Sequence, residues 1–224
     1  MKILLILIVI IVIAFFFLNN QFEEFISDFS LDDNIYFEDN ELYQKYNNVE
    51  YSRINLKTKE VKHWYAKQIV DKISKNKKNK KVLVLGVALG GLIIDLLNRH
   101  KHMHITGLDI EDTHFNLVKK YSDNKRLTLI KQDAKEYVSK MKEKFDIIIV
   151  DIFIGDKVPE FVLDNNNFLN KLQKNLNYQG IFMINTIGIN KIKLKNIIKK
   201  AFYDSEISVI NEGGNYLGIA SKSK

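Results

Sequence analysis

The sequence predicts an α/β protein with a doubly wound, mostly parallel sheet of seven strands, preceded by an N-terminal transmembrane helix. Three observations support this prediction. From Lys81 onward, short apolar runs alternate with segments of helical periodicity, which is typical of parallel strands joined by crossover helices. The last two apolar runs are joined through Gly213 and Gly214, as in an antiparallel hairpin. Residues 3–18 form an unbroken apolar run.

The predicted elements follow in a regular order. The run Ile147–Val150 is apolar on both faces, which indicates a central strand covered on both sides. Asp112 is the predicted N-cap of the helix that follows it. Strands are predicted over residues 82–85, 105–109, 127–131, 145–150, 181–185, 206–210 and 216–220, and helices over residues 60–73, 91–98, 113–121, 134–142, 167–176 and 191–202.

We divide the chain into a transmembrane anchor (residues 1–20), a tether with short strands (residues 21–60) and a folded domain (residues 61–224). The apolar run is just long enough to span a bilayer as a helix. A cleaved signal peptide is the alternative, but residues 19–24 lack the small residues of a cleavage site. We therefore expect a single-pass membrane protein. The side of the membrane stays open, because Lys2 is the one basic residue near the run.

Composition narrows the function classes. The chain contains no cysteine, which excludes disulfides, thiolate zinc sites and a cysteine nucleophile. The alternating His100, His102 and His104 precede a strand at the end opposite the expected site, so we predict no metal site. The formal charge of +7 fits acidic partners or a membrane surface. We do not expect a nucleic-acid partner, and the oligomeric state stays open, with a dimer as one option.

A glycine-rich turn follows the first predicted strand, at Gly86-Val87-Ala88-Leu89-Gly90-Gly91, and a helix follows the turn. Glycine permits unusual backbone dihedrals and lets a ligand approach the backbone. Strand, glycine turn and helix together are typical of a nucleotide site at the carboxyl end of a strand. The turn alone also fits the dinucleotide fingerprint, so an NAD site is an alternative.

Aspartates follow the next strands at the same predicted edge of the sheet. Asp109 can hold the ribose hydroxyls of a bound nucleoside. Asp133 is placed to accept a hydrogen bond from an adenine amino group, and Ala134 leaves room for the ring. Asp151 closes the central strand, and the loop after it carries Asp156. Asp133 and the closing hairpin favour an adenosyl ligand over NAD.

An aromatic pair on the first predicted helix has two interpretations. Trp64 and Tyr65 fall in its apolar pattern, where core packing is the ordinary role of such residues. A place at the edge of the ligand pocket is the alternative.

The motifs above resemble those of class I AdoMet-dependent transferases, whose Rossmann-like fold binds S-adenosyl-L-methionine (AdoMet), and in particular the spermidine synthase-like branch. The resemblance covers about residues 81–188. It implies AdoMet, or its decarboxylated form, as the cofactor. It also implies that Asp151 orients or deprotonates the nucleophile, with Asp156 as the second candidate. The residues implied to bind the cofactor are Gly86, Ala88, Gly90, Gly91, Asp109, Ile110, Asp133 and Ala134.

Two departures from that branch bear on the reaction. Aminopropyltransferases carry an acidic residue where this chain has Leu89, and a second acid where it has Ile154. We therefore expect a methyltransferase whose acceptor, a small molecule or a protein, is unknown. An aminopropyltransferase that uses decarboxylated AdoMet is the first alternative. A non-catalytic, membrane-anchored interaction module is the second.

Overall fold

The computed structural model describes residues 34–46, 49–74, 80–155, 157–164, 167–212 and 214–222. Nearly all of them belong to one compact unit, Tyr36–Lys224. The strands are β1 (Ile35–Glu38), β2 (Glu41–Tyr46), β3 (Val49–Asn55), β4 (Glu60–Val61), β5 (Lys80–Leu85), β6 (Met103–Asp109), β7 (Leu127–Lys131), β8 (Phe145–Val150), β9 (Leu176–Ile187), β10 (Ser205–Glu212) and β11 (Asn215–Lys222). The helices are α1 (Trp64–Ser74), α2 (Gly91–Arg99), α3 (Phe115–Tyr121), α4 (Ala134–Lys140), α5 (Glu160–Leu163), α6 (Phe168–Asn175) and α7 (Lys191–Ala201).

The main sheet has seven strands in the order β10-β11-β9-β8-β5-β6-β7. Strands β5 to β9 are parallel, and β11 runs antiparallel between β9 and β10. The predicted Rossmann-like sheet with its closing hairpin is confirmed. The chain passes from β5 to β6 on one side and later to β8 on the other. This reversal opens a crevice at the carboxyl ends of β5 and β8.

Apolar side chains hold helices on both faces of the sheet. Strand β8 is buried from Ile147 to Val150, as expected for a central strand. Helices α4, α6 and α7 share one core with the sheet through residues such as Val138, Leu172 and Ile198. Burial of each such side chain stabilises the fold by about 1.5–3 kcal/mol, and this burial fixes the strand ends that carry the candidate site.

Several predicted element ends differ from the structure, and three of these differences have a clear physical reason. The first helix begins at Trp64, not at residue 60, because Glu60 and Val61 pair with β3. Asp112 does not cap its helix; His114 holds the N-cap position, and the Asp112 carboxylate accepts a hydrogen bond from Lys131 at 2.8 Å. The strand predicted over residues 181–185 extends over Leu176–Ile187, because it pairs with β11 as far as Ile187 and with β8 at Leu176.

Strands β1 to β4 form a separate four-stranded sheet almost wholly within the stretch interpreted as a tether, and β2, β3 and β4 are antiparallel in it. A buried carboxylate attaches it to the main domain. Asp95 of α2 is fully buried and accepts a hydrogen bond from the Val61 N–H at 2.8 Å. Its second oxygen pairs with Arg99, which also reaches Glu60. These contacts fix the position of the short strand β4 against α2, directly before α1 begins.

The predicted membrane anchor, residues 3–18, lies outside the described residues. Within the part of the chain that the structure describes, none of the helices is both long enough and apolar enough to cross a bilayer.

Candidate active site

The glycine-rich turn after β5 is packed tightly against its neighbours. Gly86 has a φ of +95°, and a Cβ there would lie 2.1 Å from the carbonyl oxygen of Asp151. Gly90 has a φ of +72°, and its Cβ would lie 2.2 Å from Val118 Cγ2. Ala88 also adopts a positive φ, of 47°. Only glycine fits at these two positions, because φ is positive and a Cβ would clash with a neighbouring atom. The turn therefore packs closely against the ends of β5 and β8.

Asp109, the last residue of β6, lies against this turn. Its Oδ2 accepts hydrogen bonds from the backbone N–H groups of Val87 (2.7 Å) and Ala88 (3.2 Å). Its Oδ1 accepts one from the N–H of Glu111 (3.2 Å). The residue is partly exposed. The structure therefore brings Asp109, the residue predicted to hold the ribose hydroxyls, into direct contact with the predicted glycine turn.

Asp133, the second residue predicted to bind the nucleoside, follows the next strand, β7. Asp133 is exposed and forms the N-cap of α4, where its Oδ1 accepts a hydrogen bond from the Glu136 N–H at 2.8 Å. The preceding residue, Gln132, donates its N–H to the Asp109 carbonyl at 2.8 Å. That bond holds the ends of β6 and β7 together, so the two aspartates belong to one edge of the sheet.

The other predicted cofactor residues occupy different surroundings. Ile110 is 61% exposed and follows Asp109 at the sheet edge, whereas Ala134 is buried at the start of α4. Gly91 opens α2 and faces the N-terminal sheet, since a Cβ there would lie 3.3 Å from Ile54 Cβ. Asp156, the second predicted catalytic residue, lies outside the described residues.

Asp151, directly after β8, lies in a network of buried polar side chains. The Tyr65 hydroxyl donates a hydrogen bond to its Oδ2 at 3.0 Å. The Asn185 amide donates to its Oδ1 at 2.9 Å. Asn215, at the start of β11, in turn donates to the Asn185 Oδ1 at 3.1 Å. Three separate elements, α1, β9 and β11, therefore fix the position of one carboxylate.

Burial governs the electrostatics of this network. It raises the pKa of Asp151 above the usual value of an aspartate, and the nearby Asp109 charge adds to that effect. The hydrogen bonds from Asn185 and Tyr65 act in the opposite direction, because they stabilise the charged form. Burial, followed by the neighbouring Asp151 charge, raises the pKa of Tyr65 well above its usual value. Asp151 is thus a better proton acceptor than an ordinary aspartate, and Tyr65 remains a hydrogen-bond donor.

Sequence patterns alone did not assign three members of this network, Tyr65, Asn185 and Asn215, to the site. Tyr65 is 7% exposed, as core packing predicts, and its hydroxyl also contacts Asp151, so its place at the edge of the ligand pocket stays a prediction. Asn185 is 2% exposed near the end of an apolar strand. A polar residue in such a position indicates a buried hydrogen bond, so the sequence did contain a signal for this residue. Asn215 follows a glycine turn, where asparagine is ordinary, and so gave no signal.

Among the described residues there is no group of three or more histidine, aspartate or glutamate side chains placed to bind a metal ion. The candidate site combines a glycine turn with the exposed Asp133, the partly exposed Asp109 and the partly buried Asp151, whose carboxylate is held by side chains.

The chain is similar to known proteins in both sequence and fold. A family model described as "Methyltransferase domain" matches residues 76–218. A polyamine aminopropyltransferase from Buchnera aphidicola is 29% identical over 154 residues, which cover 62% of this chain and 53% of that protein. The chain thus spans about half the length of this curated relative.

Two solved structures show the same fold at low sequence identity. A probable spermidine synthase from Corynebacterium glutamicum has a TM-score of 0.72 at 14% identity, covering 85% of this chain and 76% of that one. Human methyltransferase-like protein 13, in complex with SAH, has a TM-score of 0.60 at 16% identity, covering 71% and 82%.

Proposed function

Because this chain belongs to the methyltransferase domain family, we propose that it transfers a methyl group from AdoMet to a nucleophile that Asp151 orients or deprotonates. The chain is an enzyme of the class that comprises AdoMet-dependent methyltransferases and spermidine synthase-like proteins, and AdoMet is the cofactor of its fold. The observation that carries the proposal is the position of Asp151, whose partly buried carboxylate lies beside the glycine turn and is held by Tyr65 and Asn185.

The residues at the sheet edge fit an adenosyl group. Asp109 offers a carboxylate to a pair of ribose hydroxyls, and the exposed Asp133 offers one to an amino group. Exposed Ile110 supplies apolar surface next to Asp109 for a base. When bound, AdoMet supplies an electrophilic methyl group on a sulfonium centre.

Positioning and proton removal are what the protein must add to such a reaction. Asp151 lies at the carboxyl end of the strand beside the glycine turn, and its raised pKa strengthens it as a proton acceptor. Tyr65 and Asn185 each occupy one of its oxygens, which fixes the orientation of the carboxyl group. An amine or hydroxyl nucleophile can be oriented by this group and can release its proton to it.

Two apolar residues favour methyl transfer over aminopropyl transfer. Leu89, where aminopropyltransferases carry an acid, is fully buried. An acid in the turn would repel the carboxylate of AdoMet, and leucine does not. Ile154, at the position of their second acid, is 72% exposed. The loop therefore lacks the negative charge at this position that would attract a diamine with two positive charges.

Aminopropyl transfer is the second candidate function. The observation that favours it is the similarity to proteins named polyamine aminopropyltransferase, in Buchnera aphidicola and at 32% identity over 114 residues in Pseudomonas syringae pv. tomato. In that case decarboxylated AdoMet would replace AdoMet, and Asp151 would accept the proton of an attacking amine.

Calorimetry with AdoMet, decarboxylated AdoMet and NADH, on the full chain in detergent, tests the proposal. We expect AdoMet to bind at least as tightly as its decarboxylated form, and NADH not to bind. Failure of both sulfonium compounds to bind would overturn both enzyme candidates and leave the interaction module. Preferential binding of decarboxylated AdoMet, with turnover of putrescine, would replace methyl transfer by aminopropyl transfer.

Membrane attachment through residues 3–18 is part of the same proposal, and it rests on the apolar run in the sequence. Protease accessibility of the folded domain in sealed membrane vesicles would identify the side on which the enzyme works. Release of the protein by carbonate extraction would contradict the anchor.

A further inference from the structure

The positive charge of the chain is concentrated in one segment. Residues 165–203 contain seven lysines and no aspartate or glutamate. The whole chain has 34 basic and 27 acidic residues, so the remainder has 27 of each and is neutral. The formal net charge of +7 is thus the charge of this segment. The lysines are Lys171, Lys174, Lys191, Lys193, Lys195, Lys199 and Lys200.

The fold presents these lysines on two adjacent helices. Helices α6 and α7 pack side by side on the same face of the sheet, and strand β9, which joins them, is mostly buried apart from Tyr178 and Gln179 near its start. Helix α7 turns Leu194, Ile198 and Ala201 inward, which leaves its five lysines exposed. Within the described part of the chain, no carboxylate forms an ion pair with a lysine of either helix.

Apolar and aromatic side chains are exposed among these lysines. Ile192 is 75% exposed on α7, and Tyr203, just after it, is 77% exposed. Tyr203 also lines a cleft of about 320 Å³ between the two helices, together with Lys171 and Lys174. Lysine stems with an exposed isoleucine and tyrosine are typical of a surface that lies at a lipid headgroup layer.

We propose that the α6–α7 face docks on an anionic lipid surface. The charge is complementary to such a surface, since each lysine near an anionic membrane contributes attraction. The exposed Ile192 favours lipid over nucleic acid, because an aliphatic side chain can enter a headgroup layer but offers a nucleic acid neither a hydrogen bond nor a stacking surface. None of these lysines belongs to the candidate active site, so the proposal is independent of the reaction that the enzyme catalyses.

The absence of cysteine from the chain permits a direct test with single-cysteine labels. In the full chain in nanodiscs, Asn196→Cys places a fluorophore on the outer side of α7, and Asn116→Cys places one on α3. Both asparagines are exposed on helices, so they form a matched pair. With about 30 mol % phosphatidylglycerol, a headgroup quencher should quench the label at 196 but not the label at 116. In phosphatidylcholine alone, neither label should be quenched.

A charge variant tests the cause of docking. Replacing Lys193, Lys195, Lys199 and Lys200 by Gln should weaken docking by about a hundredfold or more, at about fivefold per lysine. The control replaces four exposed lysines elsewhere, Lys67, Lys72, Lys101 and Lys119, with the same change in net charge. The control variant should dock as the parent does, and both variants should bind AdoMet as the parent does.

Three outcomes would overturn the proposal. Equal quenching at positions 116 and 196 would indicate non-specific coating. Equal quenching with and without phosphatidylglycerol would show that charge does not drive docking. A response of the label at 196 to a random RNA oligomer, with none to phosphatidylglycerol, would assign the face to nucleic acid.

Discussion

Asp109 and Asp151 occupy equivalent places in the fold but have different surroundings. Each follows or ends a parallel strand at the same edge of the sheet, on either side of the glycine turn. Asp109 is held by three backbone N–H groups, two of them from the turn itself. Asp151 is held by the side chains of Tyr65 and Asn185.

This difference separates binding from proton transfer. Backbone N–H groups do not titrate, and they fix an anion in one place, which suits a carboxylate that binds a ligand. Burial with side-chain partners raises the pKa of Asp151, which suits a carboxylate that takes up a proton. We therefore expect substitutions at the two positions to affect different kinetic constants.

The largest expected effect is that of Asp151→Asn. The amide keeps the shape of the carboxyl group but cannot accept a proton, so transfer activity should fall by about 10²–10⁴-fold. AdoMet affinity, measured by calorimetry, should stay within about threefold, because binding is assigned to the other end of the turn.

Asp146→Asn is the matched control for this substitution. Asp146 lies on the same strand at its opposite end, where it accepts hydrogen bonds from Lys81 and Asn177. Its replacement should leave activity within about twofold, as is usual for positions remote from the chemistry. An Asp151→Asn enzyme with parental activity would remove Asp151 from the reaction.

The second expected effect is on binding. Asp109→Asn removes a charged hydrogen-bond acceptor worth about 1.5–3 kcal/mol, so AdoMet affinity should fall by roughly 10- to 100-fold. The rate at saturating AdoMet should change less than the affinity. Asp112→Asn is the control, because this nearby exposed carboxylate pairs only with the exposed Lys131 among the contacts described. Unchanged affinity in Asp109→Asn would contradict the ribose assignment.

The elements of the main sheet could be predicted because their signals are local. An apolar run such as residues 147–150, or a glycine turn after a strand, is visible within ten residues. The aspartates at the strand ends could be predicted to form one site, because the carboxyl ends of parallel strands lie at the same edge of a sheet. The strand Glu60–Val61 was missed because two residues carry no periodicity, and pairing with β3 determines its conformation.

The network around Asp151 could not be predicted in the same way. Tyr65 precedes Asp151 by 86 residues, and Asn215 follows Asn185 by 30. Such contacts depend on how whole elements pack, and no local pattern encodes them. Some long-range contacts do leave a trace in the sequence, and Asp95 is an example. It is a charged residue inside the apolar stripe of a helix, and in the structure it is fully buried and accepts a hydrogen bond from the Val61 N–H.

The smallest expected effect concerns pH. The Tyr65 hydrogen bond lowers the pKa of Asp151, so Tyr65→Phe should raise it further. The carboxylate would then form at higher pH, and the acidic limb of the pH–rate profile should move to higher pH. Above that limb the rate should stay within about tenfold of the parent.

Tyr178→Phe, at an exposed tyrosine, is the control and should leave the limb in place. Stability gives a second measurement with a definite sign. A raised folded-state pKa contributes stability that is complete at low pH and is lost as pH rises through that pKa. Tyr65→Phe leaves the unfolded-state pKa unchanged, so the loss should begin at the same pH as in the parent and extend to a higher pH. A limb that stays fixed, or moves to lower pH, would show that Tyr65 does not stabilise the Asp151 carboxylate, and Asn185 would then be its main partner.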